Sequence, residues 1–220
     1  MLQASAGEGH GPRPTHVDFL SSWRRAWQGC GARGDGLDVE RALLARYAEP
    51  RRRYHTVQHL AECLAYFELA QDLPPHPADV ELAIWFHDAV YDPRRHDNEK
   101  LSAEWARHAL SGAGAPAETA QRVSDLVMIT RRHPENVVAL DAQVLIDVDL
   151  AILGAAPARF TQYEQQIREE YAHLPIWTFR WKRAEVLRSM LNRQRIYNTP
   201  RFHDALEAIA RENLRRSLET

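Results

Sequence analysis

Cysteine is scarce in this chain of 220 residues: only Cys30 and Cys63 occur. Two are too few for a disulfide framework, and no CxxC pair is present for zinc or redox work. A reducing, cytoplasmic compartment is therefore the expectation. Long apolar runs are lacking too, since none approaches the roughly 18 residues of a membrane-crossing helix. The polar opening MLQASAGEGHGPRPTH has no apolar centre of the kind a secretion signal needs. Neither sign of charge dominates: 28 Lys+Arg stand against 30 Asp+Glu, a net −2. That balance argues against coating nucleic acid through bulk charge. Lysine is confined to Lys100 and Lys182, so arginine carries nearly all the positive charge. Val/Ile/Thr alternation bounded by hairpin turns is also missing, which leaves almost no room for a sheet.

What remains is helical. Hydrophobic residues make up 45% and charged residues 26% of the chain, an ordinary globular balance, and the length suits one domain without staples. Residues 1–15, rich in Gly, Pro and small polar residues, predict a disordered lead-in to a domain over 16–220. Leu20, Trp23 and Trp27 form an amphipathic stripe. Thr56 is placed to cap a helix carrying Val57, Leu60, Leu64 and Phe67 on one side. Pro77 opens PADVELAIWFHDAVY, whose LAIWF stretch is apolar nearly all round and predicts a core helix. Pro116 opens another helix through Ile129, and His133-Pro134 breaks it. The β-branched DAQVLIDVDLAILG is compatible with a strand, but its helical neighbours favour helix. Trp23, Trp27, Trp85, Phe86, Trp105, Trp177 and Trp181 fall mostly at helical spacing, which predicts core packing. The fold class is all-α: a single irregular bundle of roughly eight to ten helices.

Histidine and aspartate concentrate at YHTVQH, His87-Asp88, TRRH and Asp147-Val148-Asp149. Asp88 ends the most apolar helix, where an unpaired carboxylate would be costly to desolvate. An arginine partner solves that problem, and so does a metal ion. Neutral imidazoles with carboxylates suit Mn, Fe, Ni, Co or Zn. His59 and Asp149 can add ligands from neighbouring helices, as helical bundles do.

The order His59, His87-Asp88, Asp149 resembles the metal-binding signature of the HD superfamily of metal-dependent phosphohydrolases. The strings RRRYHTVQHL, ELAIWFHDAVYDPRRHDNEKLSAEWA, ITRRH, LIDVDLAILG, YEQQIREEY and RIYNTPRF are similar to a branch whose substrate is unassigned. The likeness spans roughly residues 40 to 215. It implies an HD-domain helical bundle holding a divalent cation (Mn, Fe, Ni, Co, Zn or Mg) on His59, His87, Asp88 and Asp149. The cation would activate a water and polarise a phosphoryl oxygen. Asp88 would also take up a proton. The substrate implied is a small phosphomonoester or phosphoanhydride, a nucleotide or pyrophosphorylated nucleotide foremost, with no membrane partner and with a homodimer allowed. An oxygen-using di-iron enzyme of the same type wants more histidines than His96, His108 and His133 after the doublet. A non-catalytic metal- and nucleotide-binding sensor is the other alternative.

The neighbours follow from this frame. Asp147 and Asp149 lie about 200° apart on a helix, and the family pattern favours Asp149, leaving Asp147 to cap or pair elsewhere. His55 shares a face with His59, but HTVQH lacks the glutamate of a metalloprotease. His55 is read as supporting the ligands or touching substrate. His133 is open to a second metal, a phosphate or a plain helix end. Glu99 resembles a carboxylate near the attacking water and equally fits a first-turn glutamate favoured by the helix dipole. Arg51-Arg52-Arg53, Arg94-Arg95 and Arg131-Arg132 flank the motifs. Guanidinium forks match phosphate oxygens, so Arg53 and Arg132 are expected to bind phosphate, against the alternative of solvated loop charge.

Overall fold

A helix that is apolar on every side has to sit among other helices. The computed structural model, which describes residues 17–219, puts Pro77–Phe86 there. The expected disordered lead-in, residues 1–15, lies outside the described residues. In chain order the helices are α1 (Phe19–Gly29), α2 (Leu37–Tyr47), α3 (Val57–Glu68), α4 (Pro77–Phe86), α5 (Asn98–Gly112), α6 (Ala117–Ile129), α7 (Leu140–Asp149), α8 (Pro157–Glu170), α9 (Ile176–Leu191) and α10 (Pro200–Glu219). A 3-10 turn, Leu150–Gly154, continues α7. Among the described residues every regular element is helical, so the all-α bundle holds. α4 packs against α1, α3, α5, α6 and α7.

The local signals worked as their chemistry requires. The Thr56 hydroxyl caps α3 by accepting from the Gln58 amide at 3.3 Å. Pro77 occupies the first turn of α4, where its missing N–H costs nothing. The β-branched segment after Ala139 is helical, because packing against α3, α4 and α6 overrides its intrinsic preference. Two expectations fail. Leu20 is exposed, and α1 buries Ser22, Trp23, Ala26 and Trp27 instead; the Ser22 hydroxyl reaches Glu81 of α4 at 2.7 Å. Trp177 and Trp181 are not core residues, being 78% and 60% exposed. Their helix, α9, lies at the edge and fully buries Leu187 alone. Helical spacing reports a face but not whether a neighbour covers it.

Gly154 ends the 3-10 turn under α10. A Cβ there would stand 2.6 Å from the Leu206 Cβ and 3.1 Å from the Leu206 carbonyl oxygen. Neither atom is the free end of a flexible chain. Gly154→Ala is expected to destabilise by about 1–3 kcal/mol through overpacking, measured by thermal unfolding.

Candidate metal centre

Three helices that pack pairwise, α3, α4 and α7, bring their polar ends to one point. His59 stands in the first turn of α3, His87 caps the C-terminus of α4, and Asp149 is the last residue of α7. His59 and His87 are 2–3% exposed, and the Asp88 and Asp149 side chains are partly open. The two Nε2 atoms are 3.1 Å apart. Asp88 Oδ2 lies 3.1 Å from His87 Nε2 and 3.5 Å from His59 Nε2. Asp149 Oδ1 lies 3.3 Å and 3.6 Å from the Nε2 atoms of His59 and His87. Donors about 2.1 Å from one ion and at tetrahedral or octahedral angles stand about 3.0–3.4 Å from each other. The His59, His87 and Asp149 donors, at 3.1–3.6 Å from one another, stand close to this spacing and belong to a group that could hold a metal ion, and Asp88 lies 3.1–3.5 Å from both imidazoles.

The surroundings fix which atoms face inward. His87 Nδ1 donates to the Ile84 carbonyl at 2.8 Å. A carbonyl only accepts, so the proton sits on Nδ1 and the Nε2 lone pair of the neutral ring points at the cluster. Asp149 divides its oxygens: Oδ1 faces His59 and His87, while Oδ2 takes a 2.7 Å hydrogen bond from His133 Nε2. His133 adopts a left-handed backbone (φ 42°), and its carbonyl is held by Arg193 at 2.7 Å. Helix α6 has ended at Ile129, and this turn aims the ring back at Asp149. Without an ion, burial disfavours a charged His87 ring, but Asp88 and Asp149 outweigh it and raise its pKa to about 10. The same contacts draw both carboxyls down. The two carboxylates thus favour positive charge on the groups they face.

Cys63 is a member the sequence reading passed over. The ligating atoms of His59, Cys63, His87 and Asp149 all lie within 4.8 Å of one another, a group that could hold a metal ion. Its Sγ is 3.6 Å from His59 Nδ1 and 3.7 Å from His59 Nε2. The legible signal was HxxxC, two ligand types on one helical face. Asp147 goes elsewhere, as expected. It accepts from the backbone amides of Asn198 and Thr199 at 2.7 Å each and from the Thr199 hydroxyl at 2.7 Å.

The cluster opens into a cavity of about 850 Å³. His55, Asp88, Glu99, His133 and Asp149 line it. Arg53 and Arg132 are not among the lining residues. The Arg53 guanidinium turns back to the Pro50 carbonyl at 3.0 Å and to Glu169 at 3.5 Å. Arg52 instead is buried, its guanidinium donating to the carbonyls of His55, Asp88 and Ala89 at 2.6–3.1 Å. It props the chain beside Asp88 and is not available to a ligand. The cations that do face the cavity are Arg94, Arg95, Arg131, Lys182 and Arg183.

Glu170 is the second residue the sequence reading missed. Its buried carboxylate accepts from the backbone amides of Arg53, Tyr54 and His55 at 2.8–3.1 Å. It also takes bonds from His55 Nδ1 at 2.7 Å and the Tyr91 hydroxyl at 3.0 Å. The His55 ring lies over the Tyr91 ring, centroids 3.9 Å apart. The signal was present: Phe160, Tyr163, Ile167 and Glu170 are the buried residues of α8, so a glutamate occupies a position of the apolar stripe.

Comparison of the chain with protein-family models, with curated proteins and with solved structures finds no match. No helix among the described residues is long and apolar enough to cross a membrane.

Proposed function

We propose that this chain is a metal-dependent phosphohydrolase of the HD type, acting on a small phosphomonoester or phosphoanhydride such as a nucleotide. The observation that carries this reading is that imidazole and carboxylate donors of His59, His87, Asp88 and Asp149 stand 3.1–3.6 Å apart across the imidazoles, with His87, Asp88 and Asp149 lining a ligand-sized cavity. A divalent cation held there supplies Lewis acidity toward a phosphoryl oxygen and makes a water easier to deprotonate. The rest falls to the chain itself. His59, His87, Asp88 and Asp149 hold the ion, and His133 orients Asp149 through its second oxygen. Glu170 holds His55 by Nδ1, leaving Nε2 as the ring atom able to hand a proton to a departing oxygen. Glu99 reaches the same cavity from α5 and is suited to orient a water.

The test is elemental analysis of the purified protein, followed by a phosphate-release screen over nucleotides and sugar phosphates. The expected result is about one divalent ion per chain and release from at least one compound. His87→Ala and Asp88→Ala should remove both ion and turnover while helical content persists. Metal and nucleotide retained with no phosphate released would overturn the reading in favour of a sensor.

Asp88 rather than Cys63 completes the ligand set in this reading. The Asp88 carboxylate faces the cavity, whereas the Cys63 thiol is buried and burial pushes its pKa well up, so the thiolate a metal needs is costly to form. Cobalt-loaded protein is therefore expected to lack a thiolate-to-cobalt absorption band, and Cys63→Ser to retain the ion. A strong band that Cys63→Ser abolishes would exchange the two residues.

A further inference from the structure

The cations around the cavity are of two kinds. Arg95 and Arg183 are taken up by carboxylates, Arg95 by Asp97 at 2.8 Å and Arg183 by Glu164. Arg94, Arg131 and Lys182 have no side-chain partner among the described residues, although all three are exposed and line the cavity. They come from separate places: the loop between α4 and α5, the turn after α6, and α9. Elsewhere Arg25 pairs with Glu81, Arg122 with Asp79, Arg159 with Glu62 and Arg201 with Asp72; what sets these three cations apart is that they converge on one cavity from three segments. Apart from Glu99, charge is therefore segregated within one cavity. The acids Asp88 and Asp149 lie at the floor, where a divalent cation would neutralise them, and unpaired cations stand around the wall. A volume of about 850 Å³ is far more than one phosphate fills and is in the range of cavities that hold whole small ligands.

We propose that Arg94, Arg131 and Lys182 form a second anion site, so that the substrate carries two separated phosphate groups, one reacting at the floor and one held at the wall. This rests on the hydrolase reading for the fate of the first group, while the second site stands on its own cations. Guanidinium and ammonium groups donate charge-assisted hydrogen bonds to phosphate oxygens, and a cation with no internal partner gives up nothing to do so.

The test measures binding of two probes, adenosine 5′-monophosphate and adenosine 3′,5′-bisphosphate, to the full chain at saturating Mn²⁺ by calorimetry. The bisphosphate is expected to bind about ten-fold or more tightly than the monophosphate. In the triple variant Arg94→Ala, Arg131→Ala, Lys182→Ala that advantage should shrink to about two-fold or less, with monophosphate affinity little changed. All three side chains are exposed, and circular dichroism checks that the variant folds. Equal affinity of the wild type for the two probes, no binding of either, or a preference that survives the triple substitution would overturn the proposal. Failure of the hydrolase reading looks different: the preference persists and depends on the three cations, yet no phosphate is released from any compound.

Discussion

Asp149→Ala is expected to strip the divalent cation from the protein and to lower phosphate release by about 10³-fold. The size follows from what Asp149 joins. Its Oδ1 stands within 3.3–3.6 Å of both imidazole Nε2 atoms, and its Oδ2 anchors His133 at 2.7 Å. Truncation removes one donor and one of the two carboxylate charges at the floor, and it releases His133. Asp149→Asn separates these effects. The amide keeps the shape and one oxygen, so the helix end should be unchanged, but the charge that draws a dication is gone. Ion retention should fall nearly as far as in the alanine variant. His133→Ala leaves all four donors in place and removes only the orienting bond. Its expected cost is about 10–100-fold in metal affinity or activity. Metal titration of the three variants gives the order Ala, Asn, then His133→Ala from most to least impaired. A His133→Ala loss as large as that of Asp149→Ala would mean that the imidazole itself ligates. Retention of the ion by Asp149→Ala would move the centre off α7.

Three members of the candidate metal group, His59, His87 and Asp149, are legible in the sequence, and the parts that are not share a cause. The helices declared themselves through periodicity, the Thr56 cap and Pro77 at a first turn, all properties of a few consecutive residues. His87-Asp88 at the end of an all-apolar helix and Asp149 near the end of another were legible because buried polarity is expensive and hence informative. Asp147 was separated from Asp149 by helical geometry together with the family pattern, and the Asn198-Thr199 amides that hold it account for the difference. What stayed hidden depends on contacts distant in the chain. Glu170 meets His55 across 115 residues, and no local pattern announces a carboxylate that gathers a loop. The placement of the arginines is hidden for a related reason. Arg52, Arg53, Arg131 and Arg132 look alike in sequence, and only packing makes Arg52 a buried strut while Arg131 reaches the cavity. Trp177 and Trp181 carry the same lesson for apolar residues, since both stay exposed although their helix packs against α10.

Glu170 carries the second large effect, this time on the fold. Glu170→Ala would leave backbone amides at 53–55, the His55 ring and the Tyr91 hydroxyl without their acceptor. Breaking a buried charged hub of this kind costs about 3–5 kcal/mol, or about 10 °C in melting temperature for a domain of this size. Glu170→Gln should cost less and disturb His55 more. The amide oxygen can stay on the backbone N–H groups if its NH₂ faces His55 and Tyr91. A carboxylate only accepts, so in the wild type Nδ1 always carries a proton and Nε2 is the nitrogen that gains and gives one up. An NH₂ donor reverses this, making Nδ1 the acceptor and leaving the proton on Nε2. The glutamine variant should therefore fold, hold metal and show the opposite His55 tautomer by nitrogen NMR, with kcat reduced more than KM changes. Acid dependence supplies an independent check. Burial alone would raise the Glu170 pKa, but His55 and the amides outweigh it and hold the carboxyl well below its ordinary 4.5. A depressed folded pKa means that its contribution is complete above the unfolded value and is lost as pH falls from about 4.5 toward the lower folded value. Wild type and Glu170→Gln should thus differ most in melting temperature near neutral pH and converge on acidification through that window. A constant difference down to about pH 3 would show that the stabilisation does not come from the ionised carboxylate.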